Sequence, residues 1–408
     1  MPRIISSAVA CFAVASALSA QNVPYGSSVI SVISNVAPSE GLWIADRAGN
    51  CTAVTGIVSA GSPGFGINAV RMDPIDDRIW IGGINSNGNT AGQINYVRLN
   101  ATATGVSQWV QHATTGGASS VTCIEFDDNA NPIVGSGSGL FRVDRKNGGV
   151  ATPLTPAPGG TNNGITRDPS GNLYVGVFTG AGIYLLPKNS NGSYGTPVLL
   201  GSSPVTSISA VAHVAGTPDE IWISTFGAAG SMLFRMPATG GIPVAIANTI
   251  PASNWVEYDK RADDVLVLTN TGPDTVQVVD KVLGTATQLC LIQGGNVGVP
   301  SAQDANDDID YVVRTAPSYL NGALGPFDLE LGLTVPPSPT ILAGVVELNT
   351  GIIVGVNFVG ADGRFSVKLP NITLGAPLPP GSLTFVGGSV DLITGSVTLG
   401  SFVPWPVN

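Results

Sequence analysis

Residues 72–83 read Met-Asp-Pro-Ile-Asp-Asp-Arg-Ile-Trp-Ile-Gly-Gly, and this stretch decides the fold because it recurs. An apolar run ends at Asp73, a polar turn follows, and a second apolar run is anchored on Trp80. Asp and Pro favour turns for their own conformational reasons, whereas Ile and Trp favour strands. The same pattern returns as FDDNANPIVGSG from Phe126, RDPSGNLYVGV from Arg167, YDKRADDVLVLT from Tyr258 and QDANDDIDYVVR from Gln303. In four copies the Asp stands seven residues before the anchor: Asp73 to Trp80, Asp127 to Val134, Asp259 to Leu266 and Asp304 to Tyr311. The fifth, Asp168 to Tyr174, is one residue shorter.

Two looser copies fill the gaps, GLWIAD around Trp43 and GTPDEIWIST around Trp222. The seven anchors are then 37, 54, 40, 48, 44 and 45 residues apart. A period near 45 with three or four short strands is what one blade of a β-propeller requires, and a blade cannot bury its two faces without neighbours. Downstream of the anchors, GLFRVDRKNGGVATPL from Gly139, AGIYLLPKNSNGSYGTPVLL from Ala181 and SMLFRMPATGGIPVAI from Ser231 supply further strands around Asn-Gly or Gly-Gly turns. Seven anchors predict seven blades. Six blades with a closing segment is the alternative, because the first and last copies are the weakest.

After Asn321 the pattern changes. Pro-Pro turns at 336–337 and 379–380 separate runs such as Phe327–Val335, Val345–Leu348, Ile352–Val359, Arg364–Leu369 and Leu383–Val386. About eighty residues of such strands predict a small β-sandwich, since isolated hairpins would be too unstable. The fold class is therefore all-β. The expected organisation is a leader at 1–20, a propeller at 21–321 and a C-terminal β-rich domain at 322–408.

The leader is the run from Ile4 to Ala20, uncharged and apolar or small, behind a single Arg3. This is the layout of a secretory signal peptide and is too short to span a bilayer. Its removal at Ala20 takes the net charge from −10 to −11, because Arg3 is the only charged residue lost. The expected location is periplasmic or extracellular, in a bacterial setting suggested by the Ala-Leu-Ser-Ala-Gln junction. Strong acidity argues against nucleic acid, which is bound through clustered Lys and Arg. The run from Ile341 to Phe358, broken by Glu347, Asn349 and Asn357, reads as two strands, so no integral membrane helix is expected. Gly and Pro account for 83 of 408 residues while 43% of the chain is hydrophobic, which marks turns between strands and not disorder. Of the cysteines left after Cys11 departs with the leader, Cys51 and Cys290 are the expected disulfide, and Cys123 sits in an apolar strand as a buried thiol.

Counting five residues back from each Asp gives Asn68, Thr122, Asn163 and Asn254, with Ser207 or Ser209 in the looser copy. In a propeller these positions open the innermost strands, so they are candidates for a polar ring at one mouth of the channel, able to hold water, a cation or a sugar-like ligand. The alternative is that they merely tie down the turn entering each strand. Asp304, Asn306, Asp308 and Asp310 alternate like the oxygen ligands of a calcium loop. They lack the Gly at position six and the Glu at position twelve that such a loop needs, so a turn is the competing reading. No nucleophile elbow is present, and His112 and His213 are the only histidines.

The segment Asn163-Gly164-Ile165 through Gly171-Asn172-Leu173-Tyr174-Val175 resembles the repeat of NHL and SMP-30/gluconolactonase-like propellers, over roughly residues 40–315. In that lactonase family an Asn before Gly ligates a divalent metal, so the resemblance makes Asn163 the matching position. The family also needs a Glu early in its first innermost strand and an Asp in the blade after the Asn. Here Glu40 is out of register, and Ser207 or Ser209 stands where the Asp should be. The sequence thus predicts a secreted, non-enzymatic propeller without a cofactor, binding a glycan, small molecule or envelope protein or serving a structural role. A metal-dependent lactonase-type hydrolase, using calcium or another divalent cation, is the alternative.

Overall fold

Every regular element among the described residues is a β-strand. The computed structural model describes residues 23–24, 27–32, 41–55, 65–85, 92–100, 102–117, 120–204, 207–225, 232–246, 250, 253–260, 262–269, 274–292, 301–304, 312–314, 327–335, 338–359, 363–372 and 382–405. The chain separates into two compact units, Gln21–Asp308 and Ile309–Asn408.

The first unit starts with β1 (Ser28–Val32), β2 (Gly41–Ala45) and β3 (Cys51–Val54). Then come β4 (Phe65–Met72), β5 (Ile79–Asn85), β6 (Gln93–Leu99) and β7 (Val106–Thr114). The next group is β8 (Val121–Phe126), β9 (Pro132–Ser136), β10 (Gly139–Arg142) and two short pieces, β11 (Gly149–Val150) and β12 (Thr152–Pro153). It is followed by β13 (Asn162–Arg167), β14 (Leu173–Val177), β15 (Gly182–Leu186) and β16 (Val198–Ser202). Two more sets are β17 (Ile208–Val214), β18 (Glu220–Thr225), β19 (Leu233–Pro237), β20 (Val244–Ala245), and β21 (Ser253–Asp259), β22 (Asp264–Thr269), β23 (Asp274–Asp280), β24 (Ala286–Ile292). The unit ends with β25 (Ser301–Asp304).

These strands form six antiparallel sheets among the described residues. Each of β4, β8, β13 and β17 touches the first strand of the next sheet, and β25 touches both β21 and β4. The innermost strands therefore close a ring, and the unit is a β-propeller. Because each sheet is covered on both faces by its neighbours, β8, β17 and β21 are buried at every position. The blades come very close at the centre: a Cβ on Gly164 would lie 2.6 Å from the Val211 backbone nitrogen.

Ring closure explains why seven anchors yield six sheets. The first sheet has the order β25-β1-β2-β3, so its innermost strand comes from the last repeat copy and its outer three from the first. Trp43 lies in β2, the third strand, not the second, and Ser28 pairs with Asp304 across the join. The segment Val312–Arg314, expected as the last blade's second strand, pairs with a strand of the second unit instead, and Tyr311 lies outside the described residues. Two weak copies thus build one complete blade, and pairing the two ends leaves no open inner edge. The Cys51–Cys290 disulfide joins the outermost strands β3 and β24 at this seam, with Cα atoms 5.8 Å apart. One further deviation is β11, which leaves its own sheet and pairs in parallel with Ala113 and Thr114 of β7.

The repeated Asp has a structural task. Asp73 Oδ2 accepts from the Trp80 indole at 2.8 Å, and its other oxygen accepts from the Ile75 amide at 2.8 Å. Arg145, from the following blade, donates to both oxygens at 2.5 and 2.8 Å. In this copy the seven-residue interval returns the anchor Trp80 to its Asp. Asp127 is used similarly by the Asn129 and Asn131 amides at 2.9 and 2.8 Å, and Asp259 pairs with Arg47 of the first blade.

The second unit holds β26 (Val312–Arg314), β27 (Phe327–Thr334), β28 (Ile341–Glu347), β29 (Ile352–Phe358), β30 (Arg364–Ile372), β31 (Leu383–Asp391) and β32 (Val397–Trp405). They form two sheets, β26-β27-β30 and β29-β28-β31-β32. Leu329, Leu331 and Phe365 of the first share one core with Ala343, Val345 and Phe385 of the second. That common core makes the unit a small sandwich.

Candidate functional site

The five ring candidates occupy equivalent places. In β4 the pairing with β5 shifts between Ile67 and Ala69, leaving Asn68 as the extra residue of a β-bulge. The same shift leaves out Thr122 in β8, Asn163 in β13, Ser209 in β17 and Asn254 in β21. A bulge breaks the strict alternation of the strand and re-aims its extra side chain, which is why bulges gather near functional sites. Of the two serines in the looser copy, Ser209 takes the ring position, and Ser207 precedes the strand.

Their hydrogen bonds divide them. Thr122 donates across the blade boundary to the Asn162 carbonyl and lies 3.2 Å from the Gly135 carbonyl. Ser209 donates to the Ser224 hydroxyl at 3.0 Å, and Ser224 passes the bond on to the Ser253 carbonyl at 2.9 Å. Thr122 itself, and Ser209 through Ser224, thus tie neighbouring blades together. Asn254 is almost fully buried, at 1% exposure. The amide oxygens of Asn68 and Asn163, by contrast, are buried with no hydrogen-bond partner, as is that of the adjacent Asn162. A buried acceptor left without a donor costs about 1–3 kcal/mol, so such groups in a folded protein call for a water, ion or ligand.

Three residues further along the innermost strands lies a constellation that the sequence did not reveal. Arg71 of β4 donates to Glu257 of β21 at 2.7 Å and to Glu125 of β8 at 2.9 Å. The guanidinium thereby joins three blades, reaching past the closing strand β25 to the sixth sheet. The side chains are only 12%, 8% and 10% exposed for Arg71, Glu125 and Glu257. Burial, working against the pull of Arg71, raises the Glu257 carboxyl above the usual carboxylate range. A signal for this triad was present, because the three residues share one offset from the ring positions. It could not be recognised without knowing that blades two and six lie on either side of the closing strand.

The remaining candidates are placed as follows. Asp304 is the last residue of β25, whereas Asn306, Asp308 and Asp310 lie outside the described residues, as does Glu40. His112 sits edge-on to Trp80, and its Nε2 lies 2.8 Å from the Asp144 carbonyl. His213 is buried 3.3 Å from Asp219, and burial lowers the pKa of both histidines. The Cys123 thiol is fully buried, which pushes its pKa up to about 12.

The donor set at the ring does not suit a hard divalent cation. Such ions favour several carboxylate oxygens, while the ring offers amides and hydroxyls and Ser209 is committed to Ser224. Among the described residues no three His, Cys, Asp or Glu side chains gather as a metal site would require.

No protein-family model matches the chain, and no curated protein matches it in sequence. Among solved structures it is similar to a chain of a nidogen/laminin complex, at 12% identity over 68% of this chain and 98% of that one, with TM-score 0.49. It is also similar to virginiamycin B lyase from Staphylococcus aureus, at 12% identity over 76% and 96%, TM-score 0.41. A third is the PQQ-bound aldose sugar dehydrogenase from Streptomyces coelicolor, at 15% identity over 62% and 98%, TM-score 0.39. The class is defined by the closed ring of sheets: the chain is a β-propeller with a C-terminal β-sandwich unit.

Proposed function

We propose that this chain is a secreted, non-enzymatic propeller of NHL-like repeats that binds a neutral polyhydroxylated ligand, a glycan in the first instance, at the channel mouth. The leader-like residues 1–20 support export to the envelope or beyond. The observation that carries the binding role is the pair of partnerless buried amide oxygens of Asn68 and Asn163, at the same bulge in two innermost strands. Such oxygens want donors, and sugar hydroxyls are donors without charge.

The test is calorimetry of the mature protein against neutral oligosaccharides. Asn68→Ala and Asn163→Ala are each expected to weaken binding at least tenfold, equivalent to about 1.4 kcal/mol. Neither should lower the melting temperature, because each removes a buried amide oxygen that has no partner. Binding that survives both substitutions sinks the assignment.

The lactonase reading draws on Asn163, which stands at the metal-ligating place of that family with its oxygen still available. It would be favoured over binding if the protein opened an aldonolactone only with added calcium or another divalent cation and Asn163→Ala abolished that activity.

A further inference from the structure

The sheet β29-β28-β31-β32 buries one face in the sandwich core, and the pairing fixes what lies on the other. Leu342 sits beside Phe358 and Val390, Gly344 beside Val356 and Gly388, and Val346 beside Ile353 and Val386. On the last strand, Val397 and Leu399 continue the first two rows. Gly355, one residue from Val356, belongs to the opposite face, since a Cβ there would lie 2.4 Å from a Val367 methyl in the core. Over these three rows the described side chains of the outer face carry neither a charge nor a hydroxyl; Thr384, at the start of β31, lies beyond them on the same face. It is open along both edge strands, where Ile353, Val356 and Phe358 are 57%, 54% and 51% exposed and Val397 and Leu399 are both 62% exposed, while Val386 between them is buried.

Isolated exposed apolar residues are ordinary, but a contiguous face is not, and patches beyond roughly 300–600 Å² mark an interaction surface. Four strands about 4.8 Å apart and about seven residues long, at about 3.3 Å per residue, give a face of roughly 20 by 23 Å. That is about 460 Å² in projection, before the relief of its side chains and a rim are counted, against roughly 800 Å² per partner in a standard complex, so the dimer it predicts is a modest one.

We propose that this face packs against the same face of a second copy of the chain. A two-fold interface joins one patch to itself, so a uniformly apolar face meets the requirement of self-complementarity. Charge selects the same occupant: in a chain of net charge −10, this face has no charge to repel its twin. A lipid surface fits less well, because surface-bound elements carry Lys or Arg around the apolar face. From residue 309 onward the cationic residues are Arg314, Arg364 and Lys368, all on strands of the other sheet.

The experiment is light scattering behind size exclusion on the full mature chain over about 1–100 µM, the range in which a modest dimer dissociates. Wild type should run as a dimer. Val356→Lys and Leu399→Lys, on opposite edge strands, should each weaken dimerisation at least tenfold with an unchanged thermal melt, whereas Val282→Lys on the propeller should not. A wild-type monomer throughout the range overturns the proposal, as does a dimer indifferent to both face variants. Co-sedimentation of a monomer with neutral phosphatidylcholine vesicles, lost in Val356→Lys, would give the face to lipid and likewise overturn it.

Discussion

Replacing Arg71 by Met keeps an unbranched apolar stem and removes the guanidinium with its charge, leaving Glu125 and Glu257 facing one another inside the ring. Both carboxylates lose a charge-assisted bond, at 2.9 and 2.7 Å respectively, where their side chains are only 8% and 10% exposed. Breaking a buried ion pair from one side costs about 3–5 kcal/mol, because the remaining charge stays desolvated. For a unit of this size each kcal/mol moves the melting point by about 2–4 °C, so Arg71→Met should melt roughly 6–20 °C below wild type at pH 7.5. The loss should shrink on acidification. Burial already raises the Glu257 pKa in the folded protein, and removing Arg71 raises it further. A carboxyl with a raised folded-state pKa takes up its proton in the folded chain before the unfolded one. Its penalty is therefore full above the folded pKa and fades as the pH falls towards the ordinary value near 4.5. Urea denaturation of Arg71→Met at pH 7.5 and pH 5 reads both effects, and adding Glu125→Gln with Glu257→Gln should restore most of the stability at pH 7.5. A penalty below about 1 kcal/mol at pH 7.5, or one independent of pH, would refute a buried triad spanning three blades.

Breaking the Cys51–Cys290 bridge by double Ser substitution should destabilise the propeller by up to about 5 kcal/mol on the chain-entropy account, since the bond closes a loop of 239 residues. An unchanged melt with and without reductant would show that the seam is held by strand pairing alone. Cys123, with its thiol buried and its pKa pushed up to about 12, should be inert to a maleimide at pH 8 in the native protein and react on unfolding. Rapid native labelling would contradict the close packing of Cys123 against Gly135.

The repeat was legible because its signal is local. Asp73 and Trp80 are joined through a single turn, so the interval between them is fixed within one stretch of chain and survives in four of the copies. The register of four of these positions was legible for the same reason: a constant offset from the Asp marks a constant place in the innermost strand, and Asn68, Thr122, Asn163 and Asn254 all fall on the bulge, whereas in the looser copy, without that Asp, only the pairing separates Ser209 from Ser207. The number of blades was not. Trp43 and the QDANDD segment look like two weak repeats along the chain, and nothing local says that Ser28 will pair with Asp304.

By itself, then, the sequence determined an all-β chain of repeated strand-turn-strand units, a polar residue at one offset in four of them, and a change of character after Asn321. The tertiary structure decided how the ends meet, which hydroxyls of the ring are already bonded, and that Arg71 lies between Glu125 and Glu257. Strand and turn preferences act over a few residues and are written in the order of the chain. Ring closure brings together groups 186 residues apart, and whether a side chain is satisfied or left wanting a partner depends on which strands the ring sets side by side.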